Sequence, residues 1–284
     1  MKSAVADYKT RVMCLRLEPV TGSPIYITDF PRDLSIGGHT YLSTSGYEFT
    51  GYAATAGFSP ASIDLEGIAG PAGISRAAVA SGLFDGARVY IFATSWLAPV
   101  ENEEPIVAGI FGKTEVADDR YRIGGMSLID ALGQSVGRTY TAACHKTFCG
   151  TEFAGCKVSL AANTVTGTLT TVTSASNFRD SYRTEAADTF GAGTIRFTSG
   201  ANAGLKAIEI KSYALNGPIE TYEPFYYLPQ LGDAYSMVRG CRKRLSDCQA
   251  RWNGSTTYSN VLNFGGFAHI PVGSTYAQFG KGGT

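Results

Sequence analysis

Five of the six cysteines of this chain fall in two short windows, and the stretch between the windows holds none. The first window is Cys144-His145-Lys146-Thr147-Phe148-Cys149-Gly150, closing with Cys156; the second is Gly240-Cys241-Arg242-Lys243-Arg244-Leu245-Ser246-Asp247-Cys248. Cys14 stands alone in residues 1–143, and residues 157–240 are cysteine-free. Two thiol groups flanking such a segment constrain the fold strongly, because they point to segment ends that meet in space, held by something the thiols share. Disulfides are one reading. The N-terminus, Met-Lys-Ser-Ala-Val-Ala-Asp-Tyr-Lys, has no apolar run long enough for a signal peptide, so the expectation is a reducing cytosol, where disulfides rarely persist. Structural zinc is a second reading, since four thiolates make a closed tetrahedral site. Only Cys144 and Cys149 have the short separation of a zinc knuckle; Cys149 to Cys156 and Cys241 to Cys248 are wider. An iron–sulfur cluster is broader than one ion and accepts more open spacing. Spacing alone leaves zinc and a cluster both open. Ordinary buried thiols are the plain alternative, but five in two groups among Gly, Lys and Arg do not resemble core filling.

Lys plus Arg and Asp plus Glu balance at 24 each, so no net field attracts nucleic acid or an anionic membrane. No apolar run reaches the ~20 residues that span a bilayer. The chain has 34 glycines in 284 residues, well above the usual ~7%, together with 16 Tyr and 15 Phe. Gly-rich turns between aromatic and β-branched runs predict a mainly β protein.

Along the chain, Arg11–Leu17 reads as a strand with Cys14 as a buried structural thiol in its middle. Residues 20–24 turn it into Ile25-Tyr26-Ile27, Phe30–Leu34 is a loop or bulge around Pro31, and Gly37-Gly38 marks a hairpin into His39–Leu42. Ser75 can cap a short helix over 76–81, stopped by Gly82, and Ser127 to Asp130 is a capping pattern ahead of a second one. Residues 88–96 and 105–123 alternate as strands, with the acidic Pro99–Pro105 between them as a solvated connection. Residues 157–240 read as a unit of their own. Its strands are Val165–Val172, Thr194–Phe197, Lys206–Lys211, Ile219–Tyr222 and Tyr235–Val238, enough for a small barrel. The aromatic run Phe225-Tyr226-Tyr227-Leu228-Pro229 is expected to fill that barrel's core. Residues after Cys248 are Gly-rich and loop-like, and 275–284 reads as a tail ordered only by a partner.

Cys144…Thr147-Phe148…Gly150…Cys156, followed far downstream by Gly-Cys-x-Lys-x-Leu-Ser-x-Cys at 240–248 and by Asn263-Phe264-Gly265-Gly266-Phe267, resembles the tail-tip hub proteins of lambda-like siphophages and their relatives in prophages and gene transfer agents. Arg251-Trp252-Asn253 and His269-Ile270-Pro271 are similar to the same closing motif. Ile27-Thr28-Asp29, Arg32-Asp33-Leu34, Ser45-Gly46-Tyr47, Ile63–Gly67 and Leu83–Ile91 are similar to the N-terminal barrel of those relatives, so the resemblance covers most of the chain. It implies a [4Fe-4S] cluster held by Cys144, Cys156, Cys241 and Cys248, with Cys149, where the family pattern has a different residue, as alternate to Cys144. It also implies a homotrimeric virion component, assembled in the bacterial host cytoplasm. Its place would be at the tail tip between the distal tail protein and the central fibre protein, with the end of the tape-measure protein inside.

Catalytic patterns are scarce. The three histidines, His39, His145 and His269, belong to no Gly-x-Ser-x-Gly elbow, His-Glu-x-x-His pair or phosphate loop. Cys144 beside His145 could be a nucleophile pair, but neighbours on a strand point to opposite faces. An Fe–S electron-transfer protein is the stronger rival, although no flavin or dinucleotide fingerprint accompanies the cysteines. The expectation is a structural, non-enzymatic protein, mainly β. It has an N-terminal β-barrel region with short helices over 1–140 and a cysteine-cluster domain over 141–284. The latter carries an inserted small β-barrel at about 160–238 and a loop-rich tail.

Overall fold

A computed structural model describes residues 8–43, 47–52, 62–68, 74–117, 120–127, 137, 139–250 and 260–268. Of the expected second helix only Ser127 is among them, as the end of a strand; Arg251-Trp252-Asn253, His269-Ile270-Pro271 and the tail 275–284 lie outside. The chain is mainly β and divides into two compact units, residues 1–135 with 204–206, and residues 136–203 with 207–284.

The first unit is an antiparallel half-barrel of seven strands. They are β1 (Arg11–Glu18), β2 (Ile25–Thr28), β5 (Tyr47–Tyr52), β6 (Ser62–Ile68), β7 (Arg88–Ser95), β8 (Glu104–Ala117) and β9 (Arg120–Ser127), in the order β2-β1-β7-β8-β9-β6-β5. Strand β1 is buried on both faces, which is why its sequence reads as apolar without clean alternation. Leu15 and Leu17 join the core with Ile27, Ile91, Phe111 and Ile123, where α1 (Arg76–Ala80) adds Ala78 and Val79. Ser75 caps α1 by accepting the Ala78 N–H at 3.2 Å. On the other face, Val12 and Cys14 pack against the hairpin of β3 (Leu34–Ile36) and β4 (His39–Tyr41). That hairpin turns through Gly37 and Gly38 at φ 59° and 85°, the two positive angles that a two-residue turn of this twist demands. Cys14 is fully buried, and burial pushes its thiol up to about 11 despite the Thr28 hydroxyl beside it.

The acidic segment between β7 and β8 is more than a solvated connection. Glu101 pairs with Arg16 at 2.5 Å, Glu104 with Arg11 at 3.1 Å, and Glu103 accepts the Thr94 hydroxyl at 2.8 Å. Arg11 and Arg16 lie on β1 beside β7, so the loop folds back over charges that the sequence separates from it by some ninety residues.

The second unit contains an antiparallel sheet of β10 (Thr164–Thr168), β11 (Thr171–Val172), β12 (Asn177–Arg179), β13 (Thr194–Phe197), β14 (Ile208–Tyr213), β15 (Pro218–Thr221) and β16 (Ala234–Val238), in the order β10-β16-β13-β14-β15-β12-β11. The expected strand Val165–Val172 is broken in its middle. Leu169 N–H still bonds to Asp233 C=O at 3.0 Å on the β16 side, whereas Thr170 N–H turns to Arg179 C=O at 2.8 Å on the β12 side. Consecutive strands β10 and β11 therefore occupy opposite ends of the sheet, and the bend between them closes it on itself. A bulge in β14 between Ile210 and Ser212 helps the sheet curl. Inside lie Phe178, Phe190, Ile195, Phe197, Ile210, Phe225, Tyr235 and Met237. Of the aromatic residues in the run only Phe225 takes its expected place there; Tyr226, Tyr227 and Leu228 are 41%, 42% and 55% exposed. Pro224 and the paired Asn202–Tyr227 bonds (2.8 and 3.0 Å) turn the chain outward immediately after Phe225.

A polar group crosses this core. Tyr235 O–H donates to the buried Asp180 carboxylate at 2.7 Å, Arg183 donates to the Tyr235 oxygen at 3.1 Å and to Glu185 at 3.0 Å, and Tyr213 donates to Glu185 at 3.2 Å. Asp180→Ala would leave the buried Tyr235 hydroxyl without its acceptor and Arg183 with one carboxylate fewer, and is expected to cost about 2–4 kcal/mol. Tyr235→Phe is expected to cost about 1 kcal/mol, both read from hydrogen exchange of the β16 amides. Burial pushes the Glu185 carboxyl up, but its own N–H, Arg183 and Tyr213 outweigh this and hold it below its ordinary value. A carboxylate depressed in this way stabilises the fold above its unfolded-state pKa, and that stability is lost as pH falls through the folded value. Glu185→Gln should therefore flatten the acid limb of the stability curve below about pH 4.5.

Candidate thiolate centre

The first cysteine window is a chain of tight turns. Gly150 N–H bonds to Thr147 C=O at 3.1 Å, Gly155 N–H to Glu152 C=O at 2.8 Å, and Lys157 N–H returns to Gly150 C=O at 3.0 Å. Cys149 and Lys157 hold positive φ of 58° and 63° to make these reversals. The turns leave Phe153 fully exposed and carry Cys149 and Cys156 inward, both buried, while Cys144 is half-buried. Cys144 and His145 lie in this irregular segment and not on a strand.

The second window leaves β16 directly and is laid against the barrel's backbone. Arg239 N–H bonds to Asn163 C=O at 3.0 Å, and Arg242 grips Asp188 through both guanidinium nitrogens at 2.7 and 2.6 Å. Gly240 crosses the chain at Gly191 and Gly193 so closely that a Cβ there would lie 2.5 Å from Gly191 C and 2.7 Å from Gly193 N. Beyond it, Asp247 accepts the Arg242 N–H at 2.9 Å, and the short helix α2 (Leu245–Ala250) turns Cys248 inward to 5% exposure. This helix is absent from the sequence reading because six residues carry too little periodicity to announce it.

The windows meet. Cys144 N–H donates to Lys243 C=O at 2.8 Å, and Lys243 Nζ donates to Lys146 C=O. The closing motif covers the junction: Gly265 N–H points at Cys144 Sγ at 3.3 Å, and Asn260 Nδ2 lies 3.0 Å from Cys156 O and 3.7 Å from its sulfur. Phe267 N–H bonds to Thr141 C=O at 2.9 Å, and the Phe267 ring packs edge-on against Tyr140. Of these contributors Asn260 was missed from the sequence; nothing in Tyr-Ser-Asn-Val distinguishes it.

All five thiols are free, and each lies within electrostatic reach of at least one other. Burial first, and then negative charge on Cys241, Cys144, Cys156 and Asp247, push Cys248 up to about 11. Burial likewise pushes Cys149 to about 11, with Cys156 and Cys241 adding to it and Lys243 opposing. Cys241 is raised by burial first, while the Lys243 N–H and charge pull the other way. Among the described residues no three of these side chains close on one point as the shell of a single ion. The fit of a metal group therefore rests on the donor set: neighbouring buried thiols with N–H groups aimed at two sulfurs, which ionise together only beside added positive charge. By that test a thiolate-bound metal group fits.

Residues 3–159, more than half of the chain, match the family described as baseplate hub protein, N-terminal attachment domain, and residues 188–273 match the phage conserved hypothetical protein BR0599 family. Among solved structures, a chain of the virion of a native gene transfer agent particle is similar in fold. It has a TM-score of 0.73 and 24% identity, over 93% of this chain and 89% of that one. No curated protein matches.

The Gly240 crossing yields a direct test. Gly240→Ala sets a methyl group against backbone that cannot rotate away, and is expected to destabilise the second unit by about 3 kcal/mol. Urea unfolding followed by circular dichroism reads this cost; an unchanged midpoint would mean that the second window does not seat on the barrel.

Proposed function

We propose that this chain, which belongs to the baseplate hub protein family, is a structural component at the tip of a phage-type tail. Its cysteine windows would be stapled by a [4Fe-4S] cluster. The observation that carries the first half is the family match over most of the N-terminal region, and the fold of the gene transfer agent virion chain is in keeping with it. The protein is placed in the virion tail, and a structural part suits a molecule built from two β units. In the finer reading it forms a homotrimeric ring between the distal tail protein and the central fibre protein, around the end of the tape-measure protein. The exposed Tyr222, Tyr226, Tyr227, Leu228 and Leu231 of the barrel are apolar surface of the kind that neighbours cover.

Cys144, Cys156, Cys241 and Cys248 would hold the cluster, the set in which charge on any of the other three bears on Cys248. A bound cluster would supply four metal–thiolate bonds joining the two ends of the barrel segment. The chain's own residues prepare for this: Gly265 and Asn260 aim N–H groups at Cys144 and Cys156, Gly240 and Arg242 seat the second window on the barrel, and α2 turns Cys248 inward. Closing a loop of this length is worth roughly 4–5 kcal/mol in the chain-entropy picture.

Anaerobically purified protein should be brown and contain iron and acid-labile sulfide; a colourless protein with stoichiometric zinc would sink the cluster. Single Cys→Ser changes at 144, 156, 241 and 248 should each remove most of the metal, and Cys149→Ser should keep it. Hydrogen-exchange protection should fall across 144–250 on metal removal and hold across 11–117. For the assembly, particle imaging should resolve three copies around the tail axis; six equivalent copies would count against the hub reading.

A further inference from the structure

Lys243 joins the two thiol windows through both its backbone and its side chain. Its backbone is held at φ 63°, a left-handed angle that a lysine adopts only when its surroundings compensate the strain. In that conformation its C=O accepts the Cys144 N–H at 2.8 Å. Its half-buried side chain crosses to the first window, where Nζ donates to Lys146 C=O. Lys146 in turn reaches Gly155 C=O at 3.4 Å, so the two lysines tie both ends of the loop that carries Cys149 and Cys156. The Lys243 charge lies beside Cys149 and Cys241. Arg242 and Arg244, its neighbours in sequence, are exposed, and Arg242 is committed to Asp188.

We infer that Lys243 is the positioning residue of the thiolate centre: its left-handed backbone and ammonium group clasp the two cysteine windows into one site and place a fixed positive charge against whatever the thiolates bind. The charge part rests on the metal-group reading above; the clasp does not. Thiolate donors bring several negative charges into a partly buried space, and a cation held there by a backbone carbonyl offsets part of their repulsion. A cation near a redox-active metal group also stabilises its more reduced, more negative state and so raises its reduction potential.

Three full-length variants separate backbone from charge. Lys243→Gly keeps the left-handed turn and hence the bond to Cys144, but loses the ammonium. Lys243→Met loses the ammonium and keeps the strain, and Lys243→Arg retains the charge. In metal-free protein, hydrogen exchange of the 144–150 segment should quicken several-fold in Lys243→Met, less in Lys243→Gly, and stay near wild type in Lys243→Arg. Equal exchange in all four proteins would overturn the clasp, whether or not the protein carries iron. In protein reconstituted with iron and sulfide, the potential should shift negative in both uncharged variants and return with Arg. A potential common to all four would overturn the charge role. Wild-type protein that takes up no iron or sulfide would overturn the charge role together with the cluster, while the exchange measurement still decides the clasp.

Discussion

The hydrogen bond from Cys144 N–H to the carbonyl of Lys243 joins parts of the chain that an entire barrel separates. The seating of both cysteine windows depends on that junction. A segment whose ends are free must find its own stability, and a closed barrel of short strands has only a modest core with which to do so. Bringing the ends together costs chain entropy once, and the backbone bonds at Cys144, Arg239 and Phe267, the Arg242–Asp188 pair and the buried thiols share that cost. The close crossing of Gly240 over Gly191 removes any slack, because two backbones at that distance leave no room to slide.

The same economy governs the barrel. Its closure comes from a single chain segment that serves both ends of the sheet, bending between Leu169 and Thr170 so that no separate eighth strand is needed. The bend leaves a polar seam where Asp180, Arg183, Glu185 and Tyr235 satisfy one another, a network that stabilises only because every buried member has a partner. The half-barrel of the first unit is organised differently: β1, covered on both faces, is its spine, and the acidic loop returns to β1 through Arg11 and Arg16. For a component of a tail these are the useful properties. Rigid sheets hold their shape under load, and apolar loops such as Tyr226–Leu228 are left outside, available to neighbours.

A thiolate centre at the root of such a barrel need not perform chemistry on a substrate. In the proposed reading its value would lie in fixing where the barrel begins and ends, and the surrounding groups suit that purpose. N–H donors approach the sulfurs, a lysine bridges the windows, and Asp247 folds the second window into its helix. The established part of the functional reading is the baseplate hub family; the centre explains how a chain of that family could hold an inserted barrel in place.

Much of this was legible in the residues. The glycine pair at 37–38 dictates a hairpin, Ser75 and Gly82 bracket α1, and alternation places most strands of both sheets, because each rests on local geometry that a few neighbouring residues decide. The two cysteine windows, too, announced a meeting of distant segments. What the sequence could not decide was everything set by partners far away in the chain. The break in Val165–Val172 depends on Asp233 and Arg179, the outward turn after Phe225 on Asn202, the folded-back acidic loop on Arg11 and Arg16, and the contribution of Asn260 on Cys156. Periodicity reports which face of an element is apolar; it carries no information about which carbonyl or carboxylate will arrive from elsewhere to meet it. The amino acids thus determined the elements and the meeting of the thiol windows, and only the tertiary structure decided how each cysteine is seated, Cys149 and Cys156 by a chain of tight turns and Cys248 by a short helix, since those backbone turns are set by hydrogen-bond partners that periodicity does not record.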